Sequence, residues 1–208
     1  MVAIQIRSVA EPFESADPDA AREAVGALLL AEAMGHLADE SIERLDLATV
    51  RRVARAASEA GIGRLPTAAL AARRLDPEQL HAVLRSLREA PEDSPAPARE
   101  WAALVPMFGL EDLARLVTVS PASLRRYASR SRPTPDAVAA RLHFLARVVA
   151  ELRGAYNDIG VRRWFGRKRT ALRGKSPAQI LKCDWSTEDR GPQRVLDLAR
   201  SLASSPAT

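Results

Sequence analysis

Thirteen side chains in this 208-residue sequence are suited to gripping a polyanion, and they fall into two groups. The first is Ser120, Ser123, Arg125, Arg126, Ser129, Arg130 and Arg132; the second is Arg162, Arg163, Arg167, Lys168, Arg169 and Arg173. Guanidinium and ammonium donors form charge-assisted hydrogen bonds to phosphate oxygens. A guanidinium fork can also bond both acceptors of a guanine edge. The second group packs six cations into twelve residues. Each phosphate it neutralised would add a salt-dependent term to affinity through counterion release. The alternatives for that stretch are a solvated basic loop or a patch matched to an acidic protein.

Other chemistries find little support. No pair of residues has catalytic spacing, and residues 1–95 contain no metal-ligand spacing, Gly-rich phosphate loop or nucleophile motif. His36 and His81 are lone histidines on expected helices and read as surface or packed side chains; His143 lies beside an apolar stripe and needs no functional role. Cys183 is the sole cysteine, so no intrachain disulfide can form, and it reads as a structural or incidental thiol. The expectation is a protein that is not an enzyme, with no catalytic residues, metal or cofactor.

The elements that must position the first group run from Gly109 to Pro135. Leu110, Leu113, Ala114 and Val117 form one apolar stripe of a helix. Ser120 then stands at an N-cap position, with Pro121 at the first helical position, where its missing N–H costs nothing. A second helix from Pro121 to about Arg130 turns Leu124 and Tyr127 or Ala128 inward, and Arg125, Arg126 and Arg130 outward. Small Ala114 allows the two helices to approach closely. This is a helix-turn-helix pattern, whose second helix reads the DNA major groove. Thr118 stands where Gly is common in the turn, which is feasible at some backbone cost. A helical hairpin with a solvated basic face is the alternative. Charge favours DNA: residues 1–100 hold 12 Lys/Arg against 17 Asp/Glu, whereas 101–208 hold 19 against 9.

The surrounding chain reads as helix. Ala, Leu and Arg dominate, a composition that favours helix throughout. Val2 to Ile6 alternates and suits a single strand or an unpaired tail; no second strand is evident, so a tail or edge contact is expected. Asp17 caps a helix reaching about Leu37, broadly apolar from Val25 to Leu30. Further helices are expected from Asp46 or Leu47 to Ala60, Pro66 to Arg74, and Asp76 to about Ala90. These make an acidic bundle of residues 1–95, suited to docking or dimerisation. The stretch 91–98, PEDSPAPA, has three prolines and marks the joint to residues 96–208. A helix from Arg99 to Phe108 leads into the helix-turn-helix. Thr134 is the expected cap of a long helix reaching about Tyr156. Its Val138, Leu142, Leu145, Val149 and Leu152 suit either a paired-helix seam or the spine of a monomeric core. The last helix runs from Gly191 to about Leu202. Met1 to Ser15 has no apolar core of useful length, and no apolar run approaches a membrane span, so a cytoplasmic protein with no membrane role is expected.

After the long helix come Trp164, Leu172-x-Gly174-x-Ser176-Pro177, Ile180-Leu181 and, more loosely, Val195 and Leu198 in the terminal helix. With the helix-turn-helix before them, these residues resemble the Xre/MbcA/ParS-type antitoxins over about residues 101–203. The resemblance implies a helical protein that oligomerises, binds its own promoter and neutralises a RES-type toxin through its terminal segment, with Trp164 inside the fold. The chain departs from the family in its additional residues 1–95. It departs again at Cys183-Asp184-Trp185, where a Gly-containing link is usual.

The expected fold is therefore all-α: an N-terminal helical bundle and a helix-turn-helix DNA-binding domain with a C-terminal helical extension. The expected function is binding of double-stranded DNA, as a transcriptional regulator and homodimer. The alternative is an antitoxin that occludes a RES-type toxin. The dimer is expected to be held by residues 1–95 through Val25–Leu30, because Arg141 and Arg147 crowd the other stripe.

Overall fold

The computed structural model of the chain describes residues 4–15, 18–37, 41–71, 75–92 and 94–204. Among them are eleven α-helices and a single two-stranded sheet, so the fold is predominantly all-α. The chain forms two compact units, residues 1–95 and 96–208.

The first unit contains β1 (Ile4–Val9), α1 (Pro18–Ala33), β2 (Ile42–Leu45), α2 (Leu47–Glu59), α3 (Arg64–Leu70) and α4 (Pro77–Glu92). The expected N-terminal tail is instead a strand. β1 pairs in parallel with β2, in the register Ile4↔Ile42 and Val9↔Leu45, with an irregularity between Ile4 and Ser8. Parallel strands need a crossover, and α1 supplies it. In β2, Ile42 and Leu45 are buried while Glu43 and Arg44 face out, a pattern too short to be read as a strand. The core gathers Phe13, Ala24, Leu28, Val50, Val53, Leu70, Leu80 and Leu84. Asp46 caps α2, accepting a hydrogen bond from the Thr49 amide at 2.7 Å. Gly61, at φ +90°, follows the end of that helix. The expected cap at Asp17 lies outside the described residues, and so does Arg74, the expected end of the third helix, which stops earlier, at Leu70. α3 itself starts two residues earlier than expected, at Arg64.

The Val25–Leu30 segment is not an open apolar face. Ala27, Leu28 and Leu30 are buried, Val25 and Leu29 are half-buried, and α1 packs along α4. Much of the apolar run serves the core of the bundle.

The second unit contains α5 (Pro97–Phe108), α6 (Leu110–Leu116), α7 (Pro121–Ala128), α8 (Asp136–Arg153), α9 (Asp158–Gly166), a short 3-10 turn (Thr170–Leu172), α10 (Pro177–Ile180) and α11 (Arg190–Ser204). α8 is its spine: Leu142, Leu145, Val149 and Leu152 have no exposed surface, and Val138, Phe144, Ala146 and Val148 are buried as well. A helix apolar on most of its circumference belongs inside a core. The stripe is thus the monomeric spine and not a paired seam. Thr134 does not cap α8. Its hydroxyl oxygen accepts from Trp101 Nε1 at 3.0 Å, and Pro135 takes the N-cap position without a side-chain bond. Buried Glu100 and His143 join α5 to α8 at 2.7 Å.

Candidate nucleic-acid interface

The helix-turn-helix is built by local rules. Gly109, at φ +76°, separates α5 from α6; α6 ends at Leu116, and α7 begins four residues after Val117. Ser120 accepts the Ser123 amide at 3.1 Å, and Pro121 occupies the first turn. Leu113, Ala114 and Leu124 pack inward with no more than 1% exposure, and Tyr127 stacks on Trp101 with ring centroids 6.3 Å apart. That packing turns Ala122, Arg125, Arg126 and Ser129 to solvent.

Arg125, Arg126 and Arg130 are exposed, with no ion-pair partner among the described residues. Both side chains of the 125–126 pair face solvent. The serines are more constrained. Ser120 serves as cap and donates to Ser123 Oγ at 3.0 Å; Ser129 and Ser131 both donate to the Arg126 carbonyl. Together with the Arg132 amide, which reaches the same carbonyl at 3.2 Å, they close the end of α7. Arg130 stands at φ 59°, in the left-handed conformation that ends the helix. Arg132 lies over the Tyr127 ring at 5.9 Å.

The second group of cations divides by role. Arg163, Arg167, Lys168 and Arg173 are exposed and without an ion-pair partner among the described residues. Arg162 instead donates to the Met107 carbonyl at 2.8 Å, at the end of α5. Arg169 is half-buried, with its guanidinium over the Trp164 ring at 5.6 Å. Trp164 itself is 2% exposed and Phe165 is 3% exposed, so neither presents a face to a base. Between Asp158 and Asp184 the chain has eight Lys/Arg and no carboxylate, so nothing in that stretch neutralises the loop. Leu172 buries beneath it, and the Ser176–Gln179 capping box closes it.

The two groups are carried by helices that pack toward different ends of α5. α7 packs at the Trp101 end of α5, whereas α9 packs at the other end, where Phe108 meets Phe165 at 5.2 Å. Seven helical residues separate those ends by about 10 Å along the axis.

Residues outside both groups hold the turn. Thr118 adopts φ 60°, a genuine outlier for a β-branched side chain. Arg141 Nη1 donates to Thr118 Oγ1, Arg141 Nε donates to the Trp185 carbonyl at 2.7 Å, and Arg141 Nη2 pairs with Asp184. Trp185 Nε1 donates to the Leu116 carbonyl at 3.0 Å, and its ring meets Phe144 edge-on at 5.2 Å. Sequence spacing alone does not connect residues so far apart; an unexplained Thr in the turn and a Trp in an otherwise polar linker were the available signals.

Among the described residues, no group of three or more His, Cys, Asp or Glu side chains is placed to hold a metal ion, and no helix is long and apolar enough to cross a membrane. No family model matches this chain, and neither a curated protein nor a solved structure matches it.

Proposed function

We propose that the protein binds double-stranded DNA through the second unit and acts in the cytoplasm as a transcriptional regulator. The observation that carries this reading is α7: a capped helix on a packed support, with Arg125 and Arg126 exposed and unpaired among the described residues. Arg125 and Arg126 read base edges, or clamp phosphates at the groove's lip. Arg163, Arg167, Lys168 and Arg173 hold the backbone further along the duplex. Two copies on two half-sites would double the few base contacts one recognition helix makes. Binding of the full chain to random duplex pools, followed by mapping of occupied sites in the cell, tests the reading. An enriched sequence is expected, with affinity falling at a log–log salt slope of about −0.9 per phosphate contacted. Absence of salt-sensitive binding overturns it.

The second reading, occlusion of a RES-type toxin, draws support from the residues that carry the family resemblance. Trp164, Leu172, Pro177 and Leu181 are all buried in one C-terminal segment. Coexpression with such a toxin separates the two readings: rescue of growth by a variant lacking Arg125 and Arg126 would favour occlusion.

A further inference from the structure

We infer that the segment Asp184–Trp185 is a strap that sets the recognition helix, and that Arg141 is the positioning residue through which it acts. The inference rests on the DNA-binding reading for its functional meaning and on the geometry of the turn for its mechanism.

The turn between α6 and α7 has three acceptors that the helices leave unsatisfied or strained: the Leu116 carbonyl, the Val117 carbonyl and the Thr118 hydroxyl. A helix's last carbonyls lack partners of their own. Trp185 Nε1 bonds Leu116 O at 3.0 Å, and Arg141 Nη1 reaches Thr118 Oγ1 and Val117 O, the latter at 3.5 Å. Residues in the left-handed region without Gly persist only where their surroundings over-determine them. Here the helix end's own bond, Val119 N to the Ala114 carbonyl at 3.0 Å, is joined by one arginine and one tryptophan from distant parts of the chain.

Arg141 is itself held. Its side chain is 12% exposed, and its Nε is fixed on the Trp185 carbonyl. The Asp184 carboxylate is 94% exposed and adds little. The strap is anchored in turn by Trp185 against Phe144 and by α11, which packs along α8. Just beyond it, Ser186 N bonds Asp189 and Gln193 Nε2 bonds the Thr187 carbonyl, so the approach to α11 is closed.

The consequence is leverage. α7 spans eight residues, about 12 Å of axis, so a 10° change at the turn moves its far end by about 2 Å. Hydrogen bonds to a base edge do not survive such a shift. Phosphate contacts from the 163–173 loop, which does not depend on the turn, are untouched. The strap therefore governs which sequence is preferred, and not how strongly DNA is held in general.

The test uses the full chain with Arg141→Ala, Trp185→Phe and the double variant Thr118→Gly/Arg141→Ala. Arg141→Ala is expected to lower the affinity ratio between the selected site and a scrambled duplex at least tenfold, while the salt slope on the scrambled duplex stays constant. Trp185→Phe keeps a smaller aromatic ring beside Phe144 but loses the Leu116 bond, and is expected to lower the ratio less. Thr118→Gly removes the strain that Arg141 offsets and is expected to restore part of the ratio. Amide exchange of Thr118 and Val119 provides an arm independent of DNA. It is expected to accelerate at least tenfold in Arg141→Ala, with the amides of α11 unchanged. A ratio within about twofold of the parent, or unchanged exchange at the turn, overturns the strap. A parent protein without DNA preference, but with accelerated turn exchange in Arg141→Ala, overturns the DNA reading and leaves the strap standing.

Discussion

The two units differ in where their arginines are left unmatched. In residues 1–95, Arg7 faces Glu43, Arg22 pairs with Asp19, Arg44 with Asp46 and Arg88 with Glu23. In residues 96–208, Arg115 pairs with Asp112, Arg153 with Asp158 and Arg200 with Glu151; Arg141 and Arg162 bond backbone carbonyls and Arg169 lies over a ring, while the arginines exposed on α7 and the 163–173 loop have no ion-pair partner among the described residues. Exposed ion pairs contribute little stability. Their effect is to cancel field locally, and on α7 and the 163–173 loop no such pair is found among the described residues to cancel it. The difference teaches that a count of basic residues overstates the available surface. Of the thirteen side chains suited to a polyanion, Arg162 and Arg169 have structural duties, and Ser120 and Ser129 cap their own helix.

The sharpest way to break this contrast is to remove what holds the basic loop in place. Trp164→Ala deletes a side chain 2% exposed, beneath Arg169. It should cost about 3–5 kcal/mol of the second unit's stability. Thermal unfolding followed by circular dichroism measures this; a loss below about 1 kcal/mol would mean that Trp164 is not core.

Next in size is α7, the proposed recognition helix. Arg125→Ala or Arg126→Ala should cost about 1–3 kcal/mol on the preferred sequence, roughly 5- to 150-fold in affinity, with little change on arbitrary duplex. Equal losses on every sequence would show that α7 meets phosphates only. The bundle supplies a stability counterpart. Asp46→Ala removes the α2 cap and should cost about 1 kcal/mol. The Thr49 amide bonded to this carboxylate holds its pKa below the usual 3.8. A depressed carboxylate contributes stability that is present above its unfolded pKa and lost as pH falls through the folded one. The Asp46→Ala deficit should therefore shrink in acid; a deficit independent of pH would dismiss the capping charge.

The smallest effects belong to the loop. Arg167→Ala or Lys168→Ala should weaken all sequences a few-fold and reduce the salt slope by about 0.9 each. Arg55→Ala, on an equally exposed arginine of the first unit, should change neither quantity. An effect of Arg55→Ala as large as that of Arg167→Ala would erase the contrast between the units.

Much of this was legible in the residues, and particular failures show why the rest was not. The helix-turn-helix needed only apolar spacing, the Ser120–Pro121 cap and an outward arginine pair, all of them local. Trp164 was expected inside from the family resemblance, and is. The β1–β2 pair escaped notice because Ile42-Glu43-Arg44-Leu45 gains strand character only when α1 brings it beside Ile4–Val9. Thr134 had the composition of a cap, but a tryptophan 33 residues earlier took its hydroxyl.

Composition, periodicity and capping chemistry therefore determined by themselves that the chain is helical, where most of its helices begin, and that its charge is divided between the two halves. These are properties of neighbouring residues, and the backbone answers them within a turn or two. Only the tertiary structure decided that the Val138–Leu152 stripe is a buried spine, that Arg162 and Arg169 are structural, and that Arg141 and Trp185 hold the turn at Thr118. Each of those outcomes depends on which distant group arrives at a side chain. A long, amphipathic arginine bonds whatever acceptor the packing delivers.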